Sequence, residues 1–235
     1  MTHRQICFDT ETTGFEPSAG HRIVEIGCVE MIGYVRTGAV YHAYVNPQRS
    51  MPPEAQKVHG LSEAFLKDKP LFSHVADAFL EFIGDAALVA HNARFDMKFI
   101  NHELQAIGKK PIAANRAIDT LELAKRAYPG QPSSLDALCR RFGIDLSART
   151  HHGALLDAEL LADVYLELMG GRQVSFGLQA SDNATTRSQE DTARDGASHA
   201  PFPRRIAVVR DEERTAHRAF IQAKIKNALW DSEAS

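Results

Sequence analysis

The residues of this sequence that could do chemistry are carboxylates standing where a core would take apolar side chains. The stretch from Ile6 to Gly14, I-C-F-D-T-E-T-T-G, opens like a buried strand and then carries Asp9 and Glu11. Residues two apart on a strand point to the same face, so these acids sit side by side and repel. Two arrangements relieve such a pair. One is exposure to water where the strand ends, with Thr12, Thr13 and Gly14 supplying turn chemistry. The other is a cation between them, and hard oxygen ligands of this kind suit Mg²⁺ or Mn²⁺. On this stretch alone both readings stand.

Two further acids are as unexpected. In H-N-A-R-F-D, Asp96 follows Phe95 just after an apolar strand and near the start of a helix. Dipole stabilisation in a first turn, about 0.3–1 kcal/mol, is one reason for an acid there. Asp157 interrupts A-L-L-D-A-E-L-L, where Leu156, Leu160 and Leu161 crowd it, so a solvent-facing position explains it poorly. His152, in R-T-H-H-G-A-L-L-D, precedes it on the loop that Gly153 helps turn into the helix. Histidine near neutral pH can accept a proton from water. His151 is adjacent, but a histidine just before a helix and an acid one turn inside it can face one cavity, which favours His152. Four acids so far apart in the chain converge only through the fold.

The elements that must bring them together read as follows. Three β-like runs come first, Gln5–Asp9, Arg22–Ile32 and Val40–Val45, and their short connections suggest an antiparallel meander. Beyond Pro52 and Pro53 the pattern turns helical. Ser73 is the expected N-cap of a helix whose Val75, Ala78, Phe79, Phe82 and Ile83 share a face. A strand at Ala87–Ala90 precedes helical runs at about 95–107, 119–127, 134–142 and 153–169. Strands first, then a strand framed by helices, indicate a mixed α/β domain with one central sheet.

The 235 residues are 44% hydrophobic and 24% charged, enough for one sizeable core with an appendage. The net charge of −3 does not advertise a polyanion partner, although site-bound cations would bring their own positive charge to a phosphate. The three cysteines, Cys7, Cys28 and Cys139, show no paired spacing and read as reduced core thiols of a cytoplasmic protein. The opening M-T-H-R-Q shows no apolar signal region, and no stretch approaches the roughly 18 apolar residues of a membrane span, so neither secretion nor membrane insertion is expected. From Ser181 to Ala200 there is no Val, Ile, Leu, Met or aromatic residue, the composition of a linker. Arg205–Val209 and the amphipathic run Asp211–Trp230 regain order-promoting residues, but too few for a core alone, and such a segment orders against a partner.

D-x-E at 9–11, H-N-x-x-F-D at 91–96 and H-x-x-x-x-D at 152–157 resemble, in order and spacing, the three motifs of the DEDDh superfamily of 3′ to 5′ exonucleases. Within it the chain is similar to the epsilon proofreading subunits of bacterial DNA polymerase III. The likeness runs through D-T-E-T-T-G, P-E-A-x-x-V-H-G (53–60), S-L-D-A-L-C (134–139) and H-G-A-L-L-D-A (152–158). It continues into G-G (170–171) and R-I-A-V-V-R-D-E-E (205–213).

The resemblance implies an RNase H-like exonuclease fold, a central mixed five-stranded sheet flanked by helices, with a flexible C-terminal tail. It divides the chain into an exonuclease domain (1–178), a linker (179–203) and a polymerase-binding segment (204–235). It implies two Mg²⁺ or Mn²⁺ ions held by Asp9, Glu11 and Asp157, with Asp9 bridging, Asp96 completing the acidic set and His152 as general base. Glu54 and His59 match contacts to the terminal nucleotide. Thr13 and Asn92 lie in motifs lining the same pocket, or else serve as a turn residue and a backbone cap. The implied substrate is a single-stranded or frayed DNA 3′ end, and the products are nucleoside 5′-monophosphates. The implied partner of the tail is the polymerase catalytic (alpha) subunit, in a bacterial, nucleoid-associated replisome. A small theta-like accessory subunit is a further candidate. Gln173, Phe176 and Leu178, in Q-V-S-F-G-L, read either as a sliding-clamp-binding peptide or as ordinary linker-start sequence. The rival readings are an RNA-trimming exonuclease of the same superfamily and a nonhydrolytic module at replication forks.

Overall fold

The computed structural model describes residues 3–147, 149, 151–170 and 211–224. Three strands come first, β1 (Arg4–Thr12), β2 (Ile23–Ile32) and β3 (Val35–Tyr44). β2 lies antiparallel to both neighbours, which is the expected meander. β3 begins at Val35 rather than Val40, because its first six residues are exposed on both faces and leave no alternation to read. Next come α1 (Pro53–His59), α2 (Glu63–Leu66), α3 (Phe72–Ile83), β4 (Ala87–Ala90) and α4 (Ala93–Ala106). They are followed by β5 (Ala117–Asp119), α5 (Thr120–Ala127), α6 (Leu135–Phe142), α7 (Ala154–Leu168) and α8 (Asp211–Lys224). The chain divides into two units, Met1–Gln179 and Ala180–Ser235, and of these elements only α8 belongs to the second. Gln173, Phe176 and Leu178, the linker 179–203 and the tail 204–235 apart from α8 lie outside the described residues.

The strand order is β3-β2-β1-β4-β5, with β1, β4 and β5 parallel, so the sheet is the mixed five-stranded one that the resemblance implies. β5 is three residues long, too short to carry a period of its own. Two details of α3 differ from expectation. Its N-cap is Leu71 with no side-chain bond, so Ser73 lies inside the first turn. The buried face is Phe72, Ala76, Phe79 and Ile83, while Ala78 is exposed. The apolar run starts one residue before the serine, and burying Phe72 outweighs the bond that a serine cap would make.

β1 is the central strand, and its alternation separates two cores. Ile6 and Phe8 pack with α3 and α4; Cys7 packs with α6 and α7. All three cysteines are buried and unpaired. α7 is buried on most of its circumference, running beside β1 and β2. At its far end Gln5 Nε2 donates to the Tyr165 hydroxyl (2.8 Å). At its near end the helix lies against Gly27, the partner of Asp9 in the β1–β2 register. A Cβ at Gly27 would stand 2.2 Å from the Leu155 nitrogen and 2.4 Å from the Ala154 oxygen.

That contact generates a prediction. Gly27→Ala is expected to force α7 away from the sheet and to destabilise the protein by about 1–3 kcal/mol, the usual cost of overpacking. Urea denaturation checks it, and an unchanged midpoint would mean that α7 is free to move.

Candidate active site

β1 carries Asp9 and Glu11 on the face that meets α7, and the even-numbered face delivers the next acid. Asp96 lies in the first turn of α4 and is 2% exposed. Its Oδ1 accepts from the Thr10 nitrogen (3.0 Å) and from Thr10 Oγ1 (2.7 Å). One β1 residue, between the two acids, thereby fixes a third from the opposite face of the sheet. α4 itself is seated by Asp119, which accepts from the nitrogens of Asn92 (3.0 Å), Ala93 (3.1 Å) and Leu121 (2.9 Å). A single carboxylate at the end of β5 thus caps two helices, a placement the helix dipole favours.

From the other face comes Asp157, 3% exposed, one turn into α7. Oxygen and nitrogen atoms of Glu11, Asp157 and His152 lie within 4.8 Å of one another. His152 Nδ1 is 3.2 Å from Asp157 Oδ2. The His152 nitrogen donates to the Val58 oxygen (3.1 Å), tying its loop to α1, and the His151 ring packs over Gly60 at the end of α1. His152 is the histidine turned to the acids, as the spacing anticipates.

A cavity of about 410 Å³ adjoins the cluster. Thr13, Glu54 and His59 line it together with Glu11, Phe15 and Phe95. His59 Nδ1 accepts from the Leu61 nitrogen (3.0 Å), while its buried Nε2 has no partner among the described residues. Thr13 is fully buried and anchors the turn after β1, its Oγ1 accepting from the Arg22 nitrogen (3.0 Å). Asn92 is not among the lining residues. It is exposed, left-handed at φ 66°, and stands at the N-cap of α4 without a side-chain cap bond, so its side chain is not the backbone cap that the sequence offered as an alternative; Asp119 does the capping. A larger hollow of about 550 Å³ along α5 holds none of Asp9, Glu11, Asp96 or Asp157.

Electrostatics set this cluster apart. Burial, with the charges of Asp96, Glu11 and Asp157, drives the Asp9 carboxyl well above its ordinary value. Burial and the charges of Asp157, Glu25 and Asp96 push Glu11 up to about 8, and burial raises Asp96 to about 7. Such a set is costly while ionised unless positive charge is supplied. Arg149 supplies some, its Nε and Nη2 each 2.6 Å from an oxygen of Asp157. Carboxylates with one imidazole form a donor set that fits Mg²⁺ or Mn²⁺, and the guanidinium on Asp157 is a stand-in for that charge.

Arg149, Thr10, Gly27 and Glu25 escape sequence reasoning. Arg149 lies three residues before His152, but an arginine in a polar loop carries no signal of its own. Glu25 faces Glu11 across the β1–β2 ladder and bonds His42 Nε2 at 2.7 Å. The alternation of I-V-E-I-G offered a hint of it.

Comparison with known proteins places this geometry in a class. The RNase_T family model, described as exonuclease, matches residues 6–165, and the chain belongs to that exonuclease family. Among its relatives, DNA polymerase III subunit epsilon of Rickettsia felis is 47% identical over 228 residues, covering 96% of this chain and 98% of that one. The subunit of the same name from Escherichia coli K12 is 41% identical over 237 residues, covering 97% of each. Within the exonucleases, then, this chain belongs with the DNA polymerase III epsilon subunits. Among solved structures, exonuclease X in complex with 5′-overhanging duplex DNA is 30% identical with a TM-score of 0.55, covering 71% of this chain and 90% of that one. The nuclease domain of 3′hExo, a DEDDh family member bound to rAMP, shares the fold at a TM-score of 0.62 and 18% identity, covering 72% of this chain and 92% of that one. Among the described residues no helix is long and apolar enough to cross a membrane.

The raised carboxyls predict a pH response. A folded state that holds protons the unfolded chain has released loses stability as pH rises, here from Glu11's ordinary 4.5 to about 8. Thermal melts in chelator are therefore expected to show a lower midpoint at about pH 8 than at about pH 5, with Mn²⁺ reversing the loss. A midpoint that rises with pH in chelator would contradict this charge assignment.

Proposed function

We propose that this site hydrolyses the 3′-terminal phosphodiester of DNA, releasing 5′-mononucleotides, and that it proofreads synthesis by a bacterial replicative polymerase in the cytoplasm. The observation that carries the reading is the convergence of Glu11, His152 and Asp157 within 4.8 Å at the edge of a nucleotide-sized cavity. The epsilon relatives support the polymerase setting, and the DNA complex of exonuclease X supports the substrate class.

Asp9, Glu11 and Asp157 are assigned as ligands of two Mg²⁺ or Mn²⁺ ions, with Asp96 completing the set. When bound, such ions neutralise charge on the entering and leaving oxygens and acidify water toward neutral pH. The chain's own residues do the rest. His152, about half exposed beside Asp157, takes the proton of the attacking water at a ring nitrogen. Thr10 keeps Asp96 oriented, which leaves less reorganisation for the reaction. Glu54, His59 and Thr13 define the cavity for the terminal nucleotide, and the exposed Phe15 offers a stacking surface at its rim. The cavity accepts one unpaired end, and a mismatched terminus frays at lower cost than a paired one, so selectivity needs no base readout. The domain boundaries 1–178, 179–203 and 204–235, the tail's contact with the alpha subunit, the clamp peptide at Gln173, Phe176 and Leu178, and a theta-like subunit belong to this reading. A tethered exonuclease domain would meet the primer end at high effective concentration.

Hydrolysis of a 3′-mismatched primer with Mg²⁺ tests it. Asp9→Asn and Asp157→Asn are expected to abolish cleavage while leaving the fold intact, and His152→Ala to lower kcat by about 10²–10⁴-fold. An equal loss from His151→Ala would move the base to that residue, and preferential cleavage of short RNA would overturn the DNA assignment.

A further inference from the structure

The buried arginine of the cluster has a geometry that the reaction does not use. Arg149 is 8% exposed in its side chain and grips both oxygens of Asp157, Nε on Oδ1 and Nη2 on Oδ2. Its third nitrogen, Nη1, bonds Asp136 Oδ1 in the first turn of α6, a carboxylate that is 41% exposed. Nη2 also lies 2.7 Å from His152 Nδ1. The bidentate fork is the strongest form of guanidinium–carboxylate contact, and a cation approaching Asp157 meets a like charge already seated there.

The contact with His152 has a second consequence. Donation from Arg149 requires a lone pair at Nδ1, whereas donation to Asp157 Oδ2 at 3.2 Å requires the proton there. The two bonds exclude each other. With Arg149 bonded, a neutral ring carries its proton on Nε2 and has no free lone pair for water. If the guanidinium leaves, Nδ1 can donate to Asp157, and the lone pair of Nε2 is then the acceptor a general base needs.

We propose that Arg149 is a resident counter-ion that holds Asp157 and His152 in a cation-free resting state and competes with divalent ions for Asp157. Ion binding then requires the guanidinium to withdraw onto Asp136, which frees the histidine. Arg149 is a positioning residue on this account, and Asp136 is the acceptor that makes the withdrawal affordable in a buried setting. The proposal rests on the reading of the acidic cluster as a cation site. It sets a threshold for loading, so that the acids are neutralised and the base is masked until divalent ions arrive.

Mn²⁺ binding to the full-length chain, followed by electron paramagnetic resonance of the free ion, tests the competition without any turnover. Wild type, Arg149→Met, Arg149→Lys, Asp136→Asn and Asp157→Asn are compared at one pH, with near-ultraviolet circular dichroism as the check on folding. Arg149→Met is expected to bind Mn²⁺ about tenfold more tightly than wild type, a factor usual for coupled binding. Arg149→Lys, which keeps the charge but not the fork, should fall between them. Asp136→Asn should bind severalfold more weakly, because the displaced guanidinium has nowhere to go. Unchanged or weaker binding in a folded Arg149→Met would overturn the proposal. Should that variant fail to fold, wild-type affinity in both Arg149→Lys and Asp136→Asn would overturn it equally. If wild type binds no Mn²⁺ that Asp157→Asn abolishes, the cation-site reading fails and takes this proposal with it. If it binds through Asp157 and the arginine variants bind no more tightly, only the competition is wrong.

Discussion

Negative charge gathered where water is scarce governs this molecule. Asp9, Glu11, Asp96 and Asp157 reach one end of the central strand; burial and neighbouring acids push Asp9 and Glu11 upward in pKa, and burial pushes Asp96 upward. A fold driven only toward stability would replace them with apolar side chains of similar volume. Their retention makes sense when positive charge arrives from outside, and the protein is then a frame that holds ligands at the spacing a cation requires. The local stability given up is returned on ion binding, because a ligand taken up by the folded state alone stabilises it.

The frame works through the alternation of β1. Odd-numbered residues look toward α7 and even-numbered ones toward α4, so a single strand collects an acid from each side of the sheet. Thr10 joins the two halves, since its backbone and hydroxyl fix Asp96 while its neighbours present Asp9 and Glu11. Gly27 completes the arrangement by absence of a side chain, letting the first turn of α7 approach the ladder beside Asp9. Register matters throughout, for a slip of one residue in β1 would turn both of its acids to the wrong core.

Binding and chemistry meet at the loop before α7. Its backbone is tied to α1 through Val58, and α1 carries Glu54 and His59 of the cavity wall, so the histidine and the cavity share a support. The same loop carries Arg149, whose bonds to Asp157, Asp136 and His152 make it the electrostatic hinge of the site. Residues that would contact a nucleotide are thereby linked mechanically to those that would act on it.

Local pattern sufficed for much of this. The meander, the helical runs that became α4 to α7, the four misplaced acids and the placing of His152 beside Asp157 were all legible, because each depends on a period or spacing within a few residues. The limits were equally physical. β5 was too short to show a period, α3 began on a buried phenylalanine instead of at a serine cap, and Asn92 turned out to hold a left-handed backbone position without lining the cavity. Thr10, Gly27 and Arg149 gave no signal, and Glu25 only a hint in its strand alternation, since a threonine in a strand or an arginine in a loop acquires its role only from what packs against it. What the amino-acid order determined alone was the set of groups able to bind a cation and the elements that carry them. Which groups meet, which are neutralised from within and which only brace the others depended on contacts between residues up to 160 apart in sequence, and those exist only once the two cores close on either side of β1.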